Sequence, residues 1–340
     1  MKKAVILFNL GGPDNLDAVE PFLFNLFNDP AILSLPGILR YPLAKLISKR
    51  RTPIAKGIYK EMGGSSPILE QTQMQAKAIE ESLKTQEDDY KCFIVMRCWN
   101  PRAEKVIKEV KSFDPDEIIL LPLYPQYSDS TSGSSIKEWL EKCKENHVDA
   151  ETKTVCCYPT EDNFILSHIN LIKETISLKN LENTIIIFSA HGLPENKIKK
   201  GDPYQWQVEK TVEKIVNKLE LKKMNFILSY QSRVGPLKWI GPATDSVILE
   251  QSKKNKKIVL IPIAFVSEHS ETLVELDIEY KKLALENGCK KYIRIPAITC
   301  HNDFINSLKT SILRASNEGK YTSSITCPKN FKKCPRIKQA

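Results

Sequence analysis

Eight short apolar runs constrain this chain more than any other feature. Four lie in the first half, at Ala4–Leu10, Phe93–Trp99, Glu117–Tyr124 and Lys153–Tyr158. Four lie in the second, at Thr184–Ser189, Asn225–Tyr230, Lys256–Phe265 and Lys291–Ile298. They are rich in Val and Ile and continuous rather than alternating, as expected of strands covered on both faces of a parallel sheet. Helical patterns separate them: Met74–Leu83, Arg102–Val110, Ile136–Glu145, Gln207–Leu219 and Thr272–Leu285. Strand followed by helix, repeated, implies right-handed βαβ units.

The two series match in kind. Leu7-Phe8-Asn9-Leu10-Gly11-Gly12-Pro13 pairs with Phe188-Ser189-Ala190-His191-Gly192-Leu193-Pro194. Ile119-Leu120-Leu121-Pro122-Leu123-Tyr124 pairs with Val259-Leu260-Ile261-Pro262-Ile263-Ala264-Phe265. The expected fold is therefore α/β: two similar Rossmann-like domains from an old duplication, each a four-stranded parallel sheet flanked by helices. The first spans 1–150 and carries an insertion at about 14–90. The second spans 151–316, with a last helix near Asp303–Ala315 that crosses back to the first domain, and a polar tail at 317–340 is expected to be loosely ordered. Ligands of open α/β sheets sit at the carboxyl ends of the strands. The unusual residues collect there, so the expected site is a cleft between the two domains.

Length and composition agree. The chain has 340 residues, with 41% hydrophobic and 27% charged, which suits a folded protein with a sizeable core. A net charge of +9 suits acidic small molecules or an anionic surface. It is too diffuse for nucleic acid, and no basic helix with interleaved aromatics is present. No run reaches the roughly 20 apolar residues of a membrane span. The nine cysteines fall mostly in apolar runs, as reduced thiols in a cytosol would. The start, Met1–Phe8, is read as a first strand rather than a secretory signal.

The loops narrow the chemistry. Neither G-x-G-x-x-G nor a P-loop occurs, which disfavours nucleotide enzymes. The hydroxyl-rich loop Tyr127–Ser135 opens a helix and could cradle an anion, although Ser135 with Glu138 also reads as a capping box. His191 ends a buried strand, where a titrating imidazole is either structural or functional. After the third strand of the second half comes Ser267-Glu268-His269-Ser270-Glu271. Ser267 or Ser270 could cap the helix that follows, with Leu273, Leu276, Tyr280 and Leu283 as its core stripe. Glu271, Glu275 and Glu279 recur every four residues, drifting about 40° per step on an α-helix. A wider π-type turn would align them better. Such a row is ordinarily a solvated face, but leading inward from His269 it can pass protons or hard divalent cations. Residues 30–52 form an apolar stretch interrupted by Pro36 and Pro42 that ends in Lys49-Arg50-Arg51. It reads as a lip against a membrane surface or over a flat apolar ligand.

Together these segments resemble one family, ferrochelatase, over nearly the whole chain to about residue 315. The resemblance rests on Leu10-Gly11-Gly12-Pro13, Arg50-Arg51-Thr52-Pro53, Gly63-Gly64-Ser65-Ser66-Pro67, Tyr124-Pro125-Gln126-Tyr127-Ser128, Ser189–Pro194 with Gly201-Asp202-Pro203-Tyr204, Gln231–Pro236 with Trp239, and Glu268–Leu273. It implies insertion of Fe²⁺ into protoporphyrin IX, the last step of haem biosynthesis. His191 would take up pyrrole protons and face the metal together with Glu271, with His269 beside them. Glu275, Glu279 and Glu268 would form the proton or metal path. Porphyrin contacts are expected from Tyr59, Ser66, Arg50, Arg51, Arg97, Tyr124, Ser130 and Trp239. Fe²⁺ enters as substrate, and no permanently bound cofactor is expected. The implied partners are the porphyrin, an anionic membrane surface touched peripherally from the cytoplasm, and the preceding enzyme of the pathway. Some relatives hold a [2Fe–2S] cluster on four cysteines. Here Asp129 stands at one such position and the tail offers only Cys327 and Cys334, so no cluster is expected, with Cys156 or Cys157 the remaining candidates. Cys98 after Arg97 also departs from the Tyr or His of many relatives, which removes a metal contact often suggested there.

Three other readings compete. A coproporphyrin ferrochelatase would handle two more propionates, which the apolar lip disfavours. A cobalt chelatase of the same fold class would act on still more acidic substrates. A non-catalytic porphyrin or haem carrier would need one axial ligand and no carboxylate row.

Overall fold

The structure is a computed structural model that describes all residues except 180, 234, 236 and 338–340. The strands are β1 (Lys2–Asn9), β2 (Asp89–Met96), β3 (Glu117–Pro122), β4 (Glu151–Cys157), β5 (Thr184–His191), β6 (Phe226–Gln231), β7 (Lys257–Pro262), β8 (Lys291–Arg294) and β9 (Tyr321–Ser323). They form two sheets, in the orders β2-β1-β3-β4-β9 and β6-β5-β7-β8. Counted from its own first strand, the second sheet repeats the 2-1-3-4 order of the first, and each of these strand pairs is parallel. The α/β class and the duplicated architecture are as the apolar runs imply.

The chain divides into two compact units, Met1–Cys156 with Leu308–Ser323, and Cys157–Ser307 with Ser324–Ala340. In the first, Ala4–Phe8 of β1 are fully buried. Ala4, Ile6 and Phe8, on one face of the strand, pack with Val106, Ile107, Val110 and Trp139 of the flanking helices. Burying each such side chain contributes about 1.5–3 kcal/mol. In the second, Ile185, Ile187, Ile258 and Leu260 pack with Leu276, Tyr280 and Ala284.

Three expectations need correction. The first sheet has five strands rather than four, because β9 joins it at the β4 edge, where Thr154 N–H donates to Lys320 O at 2.9 Å. The tail is accordingly tied down: Thr160 bonds Ser324, and Cys327 and Cys334 are buried. Periodicity could not show this, because three residues carry no period.

The insertion is three helices, α1 (Val19–Phe27), α2 (Gly37–Glu61) and α3 (Ile68–Leu83). The segment expected to be broken by prolines is therefore mostly continuous helix, with Pro42 and Pro53 inside α2. Its inner face is Ala44, Ser48, Thr52 and Tyr59, small or polar residues that seat against the unit without a long apolar stripe. The Thr52 hydroxyl donates to Ser48 O at 2.8 Å and the Ser48 hydroxyl to Lys45 O at 3.0 Å. The outer face leaves Ile38, Leu39, Tyr41, Leu46 and Ile54 exposed. Among the described residues, no helix is long and apolar enough to cross a membrane.

Finally, the helix after Thr131 begins at Ser132, so Ser135 and Glu138 are not its capping box. Glu138 instead receives Arg97 and Arg102.

Candidate active site

Register places the second unit's chemistry. Ser189 of β5 pairs with Pro262 of β7, and Ile263 N–H donates to Ser189 O at 2.9 Å. The ends of these adjacent strands therefore deliver His191 and the loop to His269 on the same side of the sheet. Tyr204 O–H donates to the carbonyl of His191 at 3.0 Å and holds the strand end. His191 Nδ1 lies 2.6 Å from Gly192 O. A carbonyl can only accept, so Nδ1 carries a proton and the lone pair of the neutral ring sits on Nε2. That atom lies 3.5 Å from Glu271 Oε1. The indole of Trp239 lies 6.4 Å from the imidazole, centroid to centroid. Gly192 packs closely here: a Cβ would lie 3.1 Å from the Trp239 ring and 3.0 Å from Gln231 O, so a neighbour would have to give by a few tenths of an ångström.

Glu271 opens a π-helix that runs to Glu279, closed by Tyr280 N–H bonding Glu275 O five residues back. The wider turn that would align Glu271, Glu275 and Glu279 is thus the conformation the chain adopts. Ser270 stands at its start without a side-chain cap. Thr272 Oγ1 instead accepts the His269 N–H at 2.9 Å. Leu276, Tyr280 and Leu283 pack in the core as expected, whereas Leu273 is half-buried and Val274 is buried.

The carboxylates along this turn have distinct surroundings. Glu271 Oε2 is buried without a hydrogen bond, 3.8 Å from His269 Nε2. Glu275 is wrapped by donors: Ser232 N–H at 3.1 Å, Ser232 O–H at 2.6 Å, Gln231 Nε2 at 3.2 Å and Tyr280 O–H at 2.8 Å. Glu279 is exposed. Glu268 is not in this row, because its Oε1 accepts Arg294 Nη1 at 2.6 Å and Ala297 N–H at 2.9 Å. These bonds tie Glu268 to β8 and the chain just beyond it. A cavity of about 670 Å³ within this unit is lined by Gln231, Ser232, Arg233, Trp239, Glu275 and Tyr280. Of the motif around it, Val234 and Pro236 lie outside the described residues.

Charge follows geometry. Burial pushes the His191 pKa down, but the Glu271 carboxylate and the Gly192 carbonyl outweigh it, so it rises above 6.5. Burial pushes Glu271 up, yet His191 and His269 hold it below the ordinary carboxylate range. Burial lowers His269, which is neutral near pH 7. Glu275 is raised by burial and by Glu271, despite Ser232 and Tyr280. Neighbouring groups pulled in opposite directions in this way divide acid from base roles.

In the first unit, Ser66 N–H bonds Pro13 O at 2.8 Å, and Ser66 presses on Gly12, where a Cβ would lie 2.5 Å away. Tyr59 packs in an apolar cluster with Phe22, Leu23 and Cys98. The Cys98 thiol is buried and pushed up to about 12. Ser130 is buried in its loop, its N–H bonded to Ser128 Oγ at 3.1 Å. The Tyr124 hydroxyl is raised by burial. Arg50 and Arg51 are exposed on α2, with Arg51 5.9 Å from the Phe27 ring centroid. Arg97 pairs with Asp29 at 2.9 Å and Glu138 at 3.2 Å, donates to Ser134 Oγ at 2.8 Å, and its side chain is 14% exposed. Sequence reasoning did not single out Ser232, Arg294 or the Tyr280 hydroxyl. The first lay inside a quoted motif, and the last was hidden by its apolar ring.

The tail cysteines meet a third thiol. Gln207 Nε2 donates to Cys157 Sγ and Cys327 Sγ, each at 3.3 Å, and the Cys334 side chain bonds Cys327. Among the described residues, no group of three or more His, Cys, Asp or Glu is arranged to hold a metal ion. An iron–sulfur cluster needs four converging thiolates.

Known proteins bear on this arrangement. The ferrochelatase family model matches residues 2–316. The chain belongs to the ferrochelatase family. It is 65% identical to the ferrochelatase of Pelagibacter ubique over 98% of both chains. It is 48% identical to that of Rickettsia bellii over 97% of this chain and 94% of that one. Among solved structures it resembles SirB from Bacillus subtilis with Fe³⁺, at a TM-score of 0.56 and 12% identity, covering 95% of this chain and all of that one. That likeness supports the fold alone. As a ferrochelatase the chain is a metal-inserting lyase, and porphyrin and iron are its substrates.

The charge assignments can be checked on the ligand-free protein. By NMR, the His191 imidazole is expected to titrate above 6.5. In Glu271→Gln the favourable charge is gone and burial remains, so its pKa should fall by about one unit or more. An unchanged titration would mean that Glu271 does not set the proton affinity of His191.

Proposed function

We propose that this ferrochelatase inserts Fe²⁺ into protoporphyrin IX as the last step of haem synthesis, releasing two protons per protohaem formed. The observation that carries this reading is His191 Nε2, 3.5 Å from Glu271 at the head of a π-helical carboxylate row. Metallation needs a base at the pyrrole nitrogens and a way out for the protons. The resting His191 already holds a proton, so it must pass that proton on before it accepts one from a pyrrole. Glu271 is a poor proton holder and Glu275 a better one, and Glu279 meets solvent. The gradient therefore runs outward along the turn. Trp239 supplies a flat apolar wall beside the imidazole, suited to a macrocycle. His191 and Glu271 are also the groups that would face the entering Fe²⁺.

The exposed apolar face of α2 favours protoporphyrin over the more acidic coproporphyrin. It also supports peripheral attachment to an anionic membrane from the cytoplasmic side, through Ile38, Leu39, Leu46 and the cations Lys49, Arg50 and Arg51. No resident iron–sulfur cluster is part of this proposal, because the buried thiol group offers three sulfurs and a donating amide.

The test is purified protein with Fe²⁺ and protoporphyrin under anaerobic conditions, followed by haem absorbance, with coproporphyrin in parallel. His191→Ala should lower turnover by about 10²–10⁴-fold, the range of a positioned acid–base group. Glu271→Gln should lower turnover while porphyrin still binds by fluorescence. Both lie outside the core, so stability should change by less than about 1 kcal/mol. Haem formation within threefold of the parent in either variant removes that residue's role.

The attachment has its own check. Replacing Leu39, Leu43 and Leu46 with Ser should weaken binding to anionic liposomes and lower porphyrin affinity. Each nearby cation contributes only about 1 kcal/mol, so the basic cluster alone should not hold the protein there. Unchanged binding to both would leave α2 without this role.

A further inference from the structure

The segment that carries His269, Glu271 and Glu275 is fastened at both ends by one side chain. Arg294, the last residue of β8, donates through Nη1 to Glu268 Oε1 at 2.6 Å and through Nη2 to Asp277 Oδ2 at 2.5 Å. Glu268 immediately precedes His269, and Asp277 lies two residues beyond Glu275 in the π-helix. The Arg294 side chain is 9% exposed and the Glu268 side chain 12%. The Glu268 arm is therefore shielded from water, and breaking it costs more than breaking a surface ion pair, whereas the Asp277 side chain is 37% exposed and its arm rests on the 2.5 Å contact with Nη2. Ala297 N–H, just past β8, binds the same Glu268 oxygen at 2.9 Å. Tyr292 O–H, two residues earlier on β8, donates to Leu276 O at 2.7 Å. Three groups of one strand and its exit thus grip the active turn, with Arg294 holding both flanks.

This matters because a nine-residue π-helix is rare. Such a conformation persists only where its surroundings over-determine it. A planar guanidinium fixes the separation and direction of two carboxylates in a way that a flexible ammonium does not. We propose that Arg294 is a positioning residue for metal insertion: by holding Glu268 and Asp277 a set distance apart, it keeps the turn between them π-helical and keeps Glu271 against His191. It acts through these two carboxylates. The inference rests on the proposed roles of His191 and Glu271, and it adds a residue that no sequence motif marks.

The experiment uses the full chain with Arg294→Met and Arg294→Lys, and with Glu268→Gln and Asp277→Asn as one-armed variants in case Arg294→Met fails to fold. Haem formation is resolved into kcat and porphyrin KM, and hydrogen exchange is followed over residues 266–280 and over β5 and β7. A misplacement of the order of 1 Å can cost about 10²-fold, so kcat should fall at least about tenfold in Arg294→Met, with KM within about threefold. Exchange should rise over 266–280 and stay unchanged in β5 and β7. Arg294→Lys should keep the charge but recover only part of kcat. A kcat within threefold of the parent in Arg294→Met, or exchange rising equally in the strands, would overturn the proposal. The one-armed variants are read by the same criteria. If the parent itself forms no haem, the proposed function fails, while the exchange comparison still decides whether Arg294 holds the turn.

Discussion

The proposed chemistry depends on one contact, 3.5 Å long, between His191 Nε2 and Glu271 Oε1. Neither residue could arrange it alone. His191 is delivered by the end of β5, and Glu271 by the first residue of a helix that follows β7, the strand beside it. The parallel register of the two strands makes the contact reachable. A slip of one residue would turn every β5 side chain to the opposite face and remove it. The sheet is therefore part of the site. The buried Ile and Val residues that hold β5 between β6 and β7 set the position of the imidazole as surely as Tyr204 and Gly192 do.

The contact also divides proton affinity among neighbours. One carboxylate is held low by two imidazoles, and the next is held high by burial and by the first carboxylate. Glu275 carries four donors and yet is the stronger base, because desolvation and the charge of Glu271 outweigh them. On a straight α-helix the same glutamates would drift about 40° per step. The π-turn keeps them in one sequence, and the grip of Arg294 and Tyr292 from β8 gives a physical reason why so unusual a turn is stable here.

The fold was largely legible before any coordinates. Strands buried on both faces are uniform in hydrophobicity, and Ala4–Phe8 or Ile185–Phe188 could hardly be anything else. The repeat of order in two halves was legible for the same reason. β9 was not, because Tyr321–Ser323 is too short for periodicity, and its pairing is decided by a free edge far away in sequence. The prolines of α2 misled, because an exposed helix face tolerates them when the opposite face seats small residues. Within the site, His191, His269 and the glutamate row stood out through their place at strand ends. The partners of Glu268 and Arg97 were not legible, because a charged residue in a loop does not declare them: one is held by Arg294, the other by Asp29 and Glu138. Arg294 and Ser232 were invisible as functional residues, since their meaning lies wholly in distances to residues far along the chain.

The account stands on His191 Nε2 being the base whose proton affinity Glu271 sets. The most direct measurement is the pH dependence of kcat/KM for haem formation, which reports the groups of the free enzyme. A raised imidazole must lose its proton before it can act, so the profile should climb with pH through an apparent pKa above 6.5. In Glu271→Gln that limb, measured on the residual activity, should move to lower pH. A limb that keeps its position in Glu271→Gln, or that persists at full height in His191→Ala, would contradict it.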